Sequence, residues 1–188
     1  MSGEPPGWRS TARSELRVPE ELLDGSLARS RLDPMYRADM PVTQWLNDQV
    51  QEVDAVSWRL GTSGGARTFS VDELAAFGDA MRATLDCTGG WYAEQVWRGA
   101  RLDRLLDGAD GESIVVRSIT GYSRRFPRSE AAGLLVATHV GDAPLSAGHG
   151  APARLVAPGR RGFWWVKWLT TIDVDDEPWW WQPPFPLT

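Results

Sequence analysis

The chain has 188 residues, of which 42% are hydrophobic, which suits one compact domain with a core of its own. Its formal net charge of −5 argues against general nucleic-acid binding. The sequence has no run of about twenty apolar residues and no signal-like apolar stretch at its start. We therefore expect neither a membrane-spanning helix nor an export signal in this chain.

The composition changes along the chain and predicts three segments. Residues 1–24 are polar and carry two adjacent prolines, which favours a flexible tail or linker. Residues 25–176 contain most of the apolar pattern and form the predicted domain. Residues 177–188 form a C-terminal tail rich in tryptophan and proline, and its prolines exclude a helix.

Within the domain, short runs of alternating or β-branched residues predict strands at 56–60, 67–69, 81–87, 112–118, 122–126, 134–140, 154–156 and 165–174. Short helices are predicted after Ser70, which forms a capping box with Glu73, at 102–106, and after Pro127. The loop at 143–150 is too long for a simple hairpin and is a candidate functional loop. Short strands and helices in mixed order indicate an α+β domain.

The single cysteine, Cys87, lies at the end of a predicted strand, just before a turn over residues 88–90. Most lone cysteines are small buried hydrophobic residues without a chemical role. A zinc or iron–sulfur site built by the protein needs several thiolates or histidines, which this chain lacks. One thiolate is enough only if a sulfur-rich organic cofactor supplies the other ligands, so both interpretations stay open on the sequence alone.

Two further features allow more than one interpretation. The chain has 19 arginines and one lysine, Lys167, which lies among aromatic residues. It is either an anion-binding point charge or a lysine that extends its ammonium group to solvent. The three adjacent tryptophans at 179–181 either pack on the surface of their own domain or contact a membrane interface or a partner.

Four motifs carry a resemblance to a known family: Leu-Asp-Cys-Thr-Gly-Gly-Trp at 85–91, Trp-Arg-Gly-Ala-Arg-Leu at 97–102, His-Gly-Ala-Pro-Ala-Arg-Leu-Val-Ala-Pro-Gly at 149–159, and Arg-Gly-Phe-Trp-Trp-Val-Lys-Trp at 161–168. In this order they resemble the molybdopterin-binding domain of the sulfite oxidase superfamily. The similarity is greatest to the bacterial branch that includes methionine-sulfoxide-reductase-type catalytic subunits. It covers roughly residues 40–176.

The resemblance implies a mixed-sheet α+β fold and a molybdenum–molybdopterin cofactor. It implies that Cys87 is the metal ligand and the catalytic residue, because the family's cysteine at this position binds molybdenum. It also implies cofactor contacts at Ser118, His149, Arg154, Gly162, Phe163, Trp165 and Lys167. Without this resemblance, a lone histidine in a loop, such as His149, more often has no functional role than a functional one. The asparagine with which the reductase-type branch contacts its cofactor has no clear counterpart here.

The activity implied is oxygen-atom transfer, either reduction of an S- or N-oxide or oxidation of a small anion. No arginine-rich segment follows Cys87, which weakens sulfite as the substrate. The chain has no haem motif, so electrons must pass to or from a separate partner, for which a membrane haem protein is one candidate. The alternatives are a non-catalytic module on the same fold and a membrane-associated structural domain.

The cellular location stays an expectation. Close members of the family act outside the cytoplasm, and the tryptophan-rich tail suits a membrane face. We therefore expect an extracytoplasmic, membrane-associated protein, with a cytoplasmic location as the alternative.

Overall fold

The structure is a computed structural model that describes residues 34–44, 49–62, 66–106 and 108–185. The predicted N-terminal tail at 1–24 lies outside the described residues. In chain order the strands are β1 (Leu60–Thr62), β2 (Arg67–Phe69), β3 (Asp79–Cys87), β4 (Trp91–Arg101), β5 (Ser113–Ser118), β6 (Ser123–Pro127), β7 (Leu135–Val140), β8 (Ala143–Pro144), β9 (Arg154–Val156) and β10 (Leu169–Asp175). In the described part of the chain they are connected by one α-helix, α1 (Val71–Ala76), and by 3-10 turns at Leu102–Arg104, Arg128–Gly133, Ala147–His149 and Gly162–Trp164.

The strands form two sheets. The first has the order β2-β1-β10-β5-β6 and is mixed, because β1 pairs with β10 in parallel while the other pairs are antiparallel. The second has the order β3-β4-β7-β8, and β9 pairs with β7. The predicted α+β class with a mixed sheet is confirmed, although the helical part is small.

Strand alternation explains how β3 is seated. Ala83, Leu85 and Cys87 are buried, while Arg82 and Thr84 are exposed and Asp86 is partly buried. Successive side chains of a strand point to opposite faces, so one face of β3 enters the core. Burying a side chain the size of leucine contributes about 1.5–3 kcal/mol, which fixes the register of the strand. The register in turn fixes where the sulfur of Cys87 lies.

The helix between β2 and β3 begins as the sequence predicts. The Ser70 hydroxyl accepts from the Glu73 backbone N–H at 3.2 Å, and the Glu73 carboxylate accepts from the Ser70 backbone N–H at 2.8 Å. Both bonds of the capping box are therefore present, and such a cap is typically worth about 1 kcal/mol. The helix ends before Gly78, which has a positive φ of 69°.

Other predicted elements differ from the structure. The strand predicted at 56–60 is wrong except for Leu60, where β1 begins. The Asp54 carboxylate accepts from the backbone N–H groups of Val56 and Ser57 and holds them in a turn. Val56 is accordingly 84% exposed. The strand predicted at 165–174 begins at Leu169 instead. Trp168, with a φ of 51°, breaks the extended backbone just before it. The helices predicted at 102–106 and after Pro127 are 3-10 turns.

The segment that precedes β1 in the chain is hydrogen-bonded to the second sheet at the start of β4. We call residues 35–44 the arm. The Arg37 N–H donates to the Tyr92 carbonyl at 2.8 Å, and the Tyr92 N–H donates to the Met35 carbonyl at 2.9 Å. Met40 is buried, and Val42 packs against Gly148. The arm thus runs from the start of β4 to the loop that precedes β9.

The C-terminal tail lies along the edge strand β6. The Gln182 side chain accepts from the Arg125 backbone N–H at 3.0 Å and donates to its carbonyl at 2.7 Å. The Arg124 guanidinium donates to the Pro183 carbonyl at 2.8 Å, and Arg160 stacks over Trp179. These contacts agree with packing of the tail on its own domain. No helix among the described residues is long and apolar enough to cross a membrane.

Candidate active site

The hairpin of β3 and β4 sets the position of Cys87. The turn closes with the Gly90 N–H donating to the Cys87 carbonyl at 3.1 Å. The Cys87 sulfur lies 3.3 Å from the Gly89 backbone nitrogen, which donates to it, and 3.3 Å from the Thr43 hydroxyl. The cysteine is buried and forms no disulfide. Its sulfur is therefore held by two polar groups at the edge of the core.

The 3-10 turn at Gly162–Trp164 packs directly against the end of β3. A Cβ at Gly162 would lie 3.1 Å from the Asp86 carbonyl oxygen and 3.3 Å from the Cys87 Cα. Such contacts are tighter than ordinary van der Waals distance, so the absence of a side chain lets the two backbones approach. Asp86 and Arg161 are also joined by a β-bridge between their backbones and by an ion pair between their side chains. Gly162 therefore packs against the backbone of Cys87.

A cavity of about 380 Å³ opens beside Cys87. Its volume falls within the usual range for small-molecule and cofactor sites. The structure places all the predicted site residues around it, namely Cys87, Ser118, His149, Arg154, Gly162, Phe163, Trp165 and Lys167. They come from the ends of β3 and β5, from the start of β9, and from the loops before β9 and β10.

Arg154 is the most deeply buried charge in this wall. Its guanidinium donates to the carbonyls of His149 at 3.1 Å and Trp165 at 3.3 Å. Its central carbon lies 5.2 Å from the ring centre of Trp97 and 5.7 Å from that of Trp165. Its Nε atom is buried without a hydrogen-bond partner, and among the described residues no carboxylate pairs with it. Burial lowers the pKa of Arg154 to about 10, partly opposed by the Cys87 sulfur, so the side chain stays charged at neutral pH.

His149 connects the cavity wall to the arm. Its Nε2 lies 2.6 Å from the Met40 carbonyl, and its Nδ1 lies 2.8 Å from the Ser146 hydroxyl. A carbonyl oxygen only accepts, so Nε2 carries the proton and Nδ1 accepts from the serine. Burial lowers the pKa of His149, and the charges of Arg154 and Lys167 add to this effect. The neutral imidazole is therefore the favoured form.

Lys167 also contacts the arm. Its ammonium group donates to the Thr43 carbonyl at 2.7 Å and to the Gly148 carbonyl at 2.9 Å, and it lies over the Trp168 ring. The lysine thus bridges the arm and the loop before β9 while it lines the cavity.

Sequence reasoning missed several residues of the cavity wall, among them Thr43, Gln44, Thr120 and Tyr122. The Tyr122 hydroxyl donates to the Phe163 carbonyl at 2.5 Å and accepts from Arg124 at 2.6 Å, so it supports the turn that carries Phe163. A signal existed for this tyrosine, because it follows a Thr-Gly turn at the end of a buried strand. Thr43 gave no local signal.

The described residues contain no group of three or more His, Cys, Asp or Glu side chains placed to hold a metal ion. A metal at Cys87 therefore needs most of its ligands from an organic cofactor. The wall fits such a group: it offers one thiol, a buried unpaired cation for an anionic part, and aromatic faces for a flat ring system.

Comparison with known proteins defines the class. Residues 47–181 match the family model described as the oxidoreductase molybdopterin-binding domain. Because the match covers well over half of the chain, the protein belongs to this family. The predictions of an oxidoreductase domain and of a molybdopterin cofactor are confirmed by this membership.

Individual relatives agree with the family. The chain is 33% identical over 103 residues to the NADPH nitrate reductase of Fusarium oxysporum, a match that covers 55% of this chain and 10% of the relative. It is 29% identical over 168 residues to the mitochondrial sulfite oxidase of Macaca fascicularis, covering 68% and 31%. The chain therefore spans a third or less of the length of these proteins.

A solved structure shows the same fold. The sulfane dehydrogenase SoxCD of Paracoccus pantotrophus superposes with a TM-score of 0.62 at 23% identity, over 68% of this chain and 40% of that one. At this level of identity the likeness concerns the fold alone. The predicted sulfite-oxidase-type fold is confirmed.

Proposed function

We propose that this domain is the catalytic part of a molybdenum enzyme that transfers an oxygen atom to or from a small molecule. The observation that carries the proposal is the placement of Cys87 and the buried, unpaired Arg154 on the wall of one cavity. A buried guanidinium without a carboxylate is costly unless an anion binds beside it. The cofactor of this family would supply that anion and, when bound, the two-electron chemistry of its metal.

The residues of the chain have separate tasks in this proposal. Cys87 supplies a thiolate ligand, held in place by the Gly89 N–H. Arg154 and Lys167 carry the positive charge that binds anionic oxygens of the cofactor. The turn containing Gly162 and Phe163 packs on the cysteine and closes one side of the cavity. Together they orient the cofactor and exclude water from one side of it.

The proposed substrate is a neutral S- or N-oxide. Among the described residues that line the cavity, those not assigned to the cofactor are uncharged: Pro41, Thr43, Gln44, Leu85, Thr88, Gly89, Trp91, Thr120, Tyr122, Val166 and Trp168. An anionic substrate would need a cation of its own here. Reduction of such an oxide consumes two electrons and two protons and releases water, so a separate redox protein must supply the electrons.

The proposed location is the outside of the cytoplasmic membrane, either as part of a longer anchored protein or held there by the redox partner. The support is the tail, in which Trp180 and Trp181 remain 61% and 71% exposed although the tail is docked. Tryptophan is the residue best suited to the depth of lipid headgroups.

The test is metal analysis of the purified chain from a host that makes molybdopterin, with Cys87→Ser as the comparison. We expect about one molybdenum per wild-type chain and reduction of sulfoxides or N-oxides by a chemical electron donor. Cys87→Ser should keep the fold, because the change is nearly isosteric, and should lose turnover. A wild-type chain without molybdenum, or a serine variant with full turnover, would contradict the proposal.

A further inference from the structure

The hydroxyl of Thr43 approaches the sulfur of Cys87 across 44 residues of sequence, with 3.3 Å between the two atoms. We propose that Thr43 is a positioning residue that donates a hydrogen bond to this sulfur and thereby controls how much electron density the thiolate gives to the metal. This inference rests on the proposed function, since it assigns a role to Thr43 only when Cys87 is a metal ligand.

The arm is built to deliver this hydroxyl. Its first part pairs with Tyr92 at the start of β4, which directly follows the turn after Cys87. Its middle is fixed by the bond from the His149 imidazole to the Met40 carbonyl. At Thr43 itself the backbone carbonyl accepts from Lys167 at 2.7 Å. The backbone on either side of the hydroxyl is therefore held by groups of the cavity wall, which limits how far the hydroxyl can move from the sulfur.

The direction of the hydrogen bond follows from the chemical form of the cysteine. A hydroxyl has one proton to donate, and the other acceptor near Thr43 is the Pro41 carbonyl at the longer distance of 3.5 Å. A thiolate has no proton and is the better acceptor because it is charged. The Gly89 N–H donates to the same sulfur at 3.3 Å. The thiolate thus receives two hydrogen bonds, one from the backbone and one from a side chain that can be substituted.

Hydrogen bonds to a metal-bound sulfur have a defined effect on the metal. They withdraw electron density from the thiolate, which makes it a weaker donor and favours the reduced metal. Loss of the Thr43 bond should therefore lower the reduction potential of the metal. It should also change the electron paramagnetic resonance (EPR) signal of the one-electron-reduced state, because that signal depends on the covalency of the metal–sulfur bond.

The experiment compares Thr43→Val, which keeps the shape and removes the hydroxyl, with Thr43→Ser, which keeps the hydroxyl. Thr84→Val is the matched control, because Thr84 is an exposed threonine on the same strand as Cys87 and does not line the cavity. The measurements are molybdenum content, the potential by redox titration, and the EPR signal. The signal reports only on chains that hold the metal, so partial loading of a variant does not obscure it.

We expect Thr43→Val to show a lower potential and an altered signal, and Thr43→Ser and Thr84→Val to match the wild type in both. The proposal is wrong if the loaded valine variant keeps the wild-type potential and signal, or if the serine variant shifts as far as the valine variant. Either result would leave the proposed function intact, because the wild-type chain would still hold molybdenum. A wild-type chain without molybdenum would overturn both.

Discussion

At the scale of single residues, Arg154 has the largest electrostatic consequence. Its side chain is fully buried and charged, yet among the described residues its partners are backbone carbonyls and aromatic rings. Such groups return only part of the hydration energy that a guanidinium loses on burial. We therefore propose that a bound ligand pairs with this guanidinium, whose planar fork matches phosphate or carbonyl oxygens better than a point charge does.

We expect Arg154→Lys to weaken cofactor binding by about 1.5–3 kcal/mol, roughly ten- to a hundredfold, because the charge remains but the fork is lost. The measurement is the fraction of chains that retain molybdopterin after dialysis. Arg128→Lys is the control, because Arg128 also donates to two backbone carbonyls, those of Leu106 and Ala109, but lies outside the cavity wall. Equal cofactor loss from both variants would show that Arg154 acts through general stability.

The site residues that could be predicted from the sequence share one property: each lies in a short motif that is recognisable in the sequence. Cys87 before its glycine turn and Arg154 in its Pro-x-Arg segment are examples. Thr43 could not be found in this way, because its meaning comes from a contact with a residue 44 positions away. The arm has no period or cap that would predict where it packs, and its path depends on bonds to His149 and Lys167.

At the scale of elements, the contact between the arm and the loop before β9 decides whether the cavity is closed on that side. A Cβ at Gly148 would lie only 2.6 Å from a methyl carbon of Val42. Real Cβ atoms do not approach so closely, so glycine at this position is what lets the arm pack against the loop. The Gly148 carbonyl also accepts from Lys167, which ties the same two segments together.

We expect Gly148→Ala to displace the arm, at a cost typical of overpacking, about 1–3 kcal/mol. Val42→Ala in the same chain should restore the seating, because it removes both methyl groups and leaves a carbon at 3.3 Å. Hydrogen exchange of the Arg37 and Met40 amides measures the effect: it should be faster in the single variant and near wild type in the double one. If the double variant exchanges as fast as Gly148→Ala alone, the clash with Val42 is not the cause.

The element predictions failed where a side chain overrides the apolar pattern. Residues 56–58 alternate like a strand, but the Asp54 carboxylate captures two backbone N–H groups and makes a turn. Trp168 alternates with its neighbours, yet its left-handed backbone and its indole bond to the Ala147 carbonyl delay β10 to Leu169. The capping box of Ser70 and Glu73 succeeded because both of its partners are local.

At the scale of the whole molecule, the C-terminal tail contacts both the first sheet and Phe163 in the cavity wall. It covers the edge strand β6 through Gln182, and Phe185 packs 5.7 Å from Phe163, measured between ring centres. An edge strand left open would invite pairing with other chains, so this cover blocks such pairing at β6. The docking nevertheless leaves Trp180 and Trp181 directed to solvent. We expect two adjacent exposed tryptophans to mark a contact with a membrane interface or a partner.

The last prediction tests whether that contact is a membrane. The chain should float with zwitterionic phosphatidylcholine vesicles, which do not repel its net charge of −5. The double change Trp180→Ala and Trp181→Ala should abolish flotation, while Trp179→Ala should not, because Trp179 stacks under Arg160 and is partly buried. Both variants remove tryptophan from the same tail. A difference in flotation between them would therefore depend on the exposure of the removed side chains and not on tryptophan content alone. If the wild-type chain stays at the bottom of the gradient and the native protein fractionates with cytosol, the membrane-associated, extracytoplasmic location is wrong.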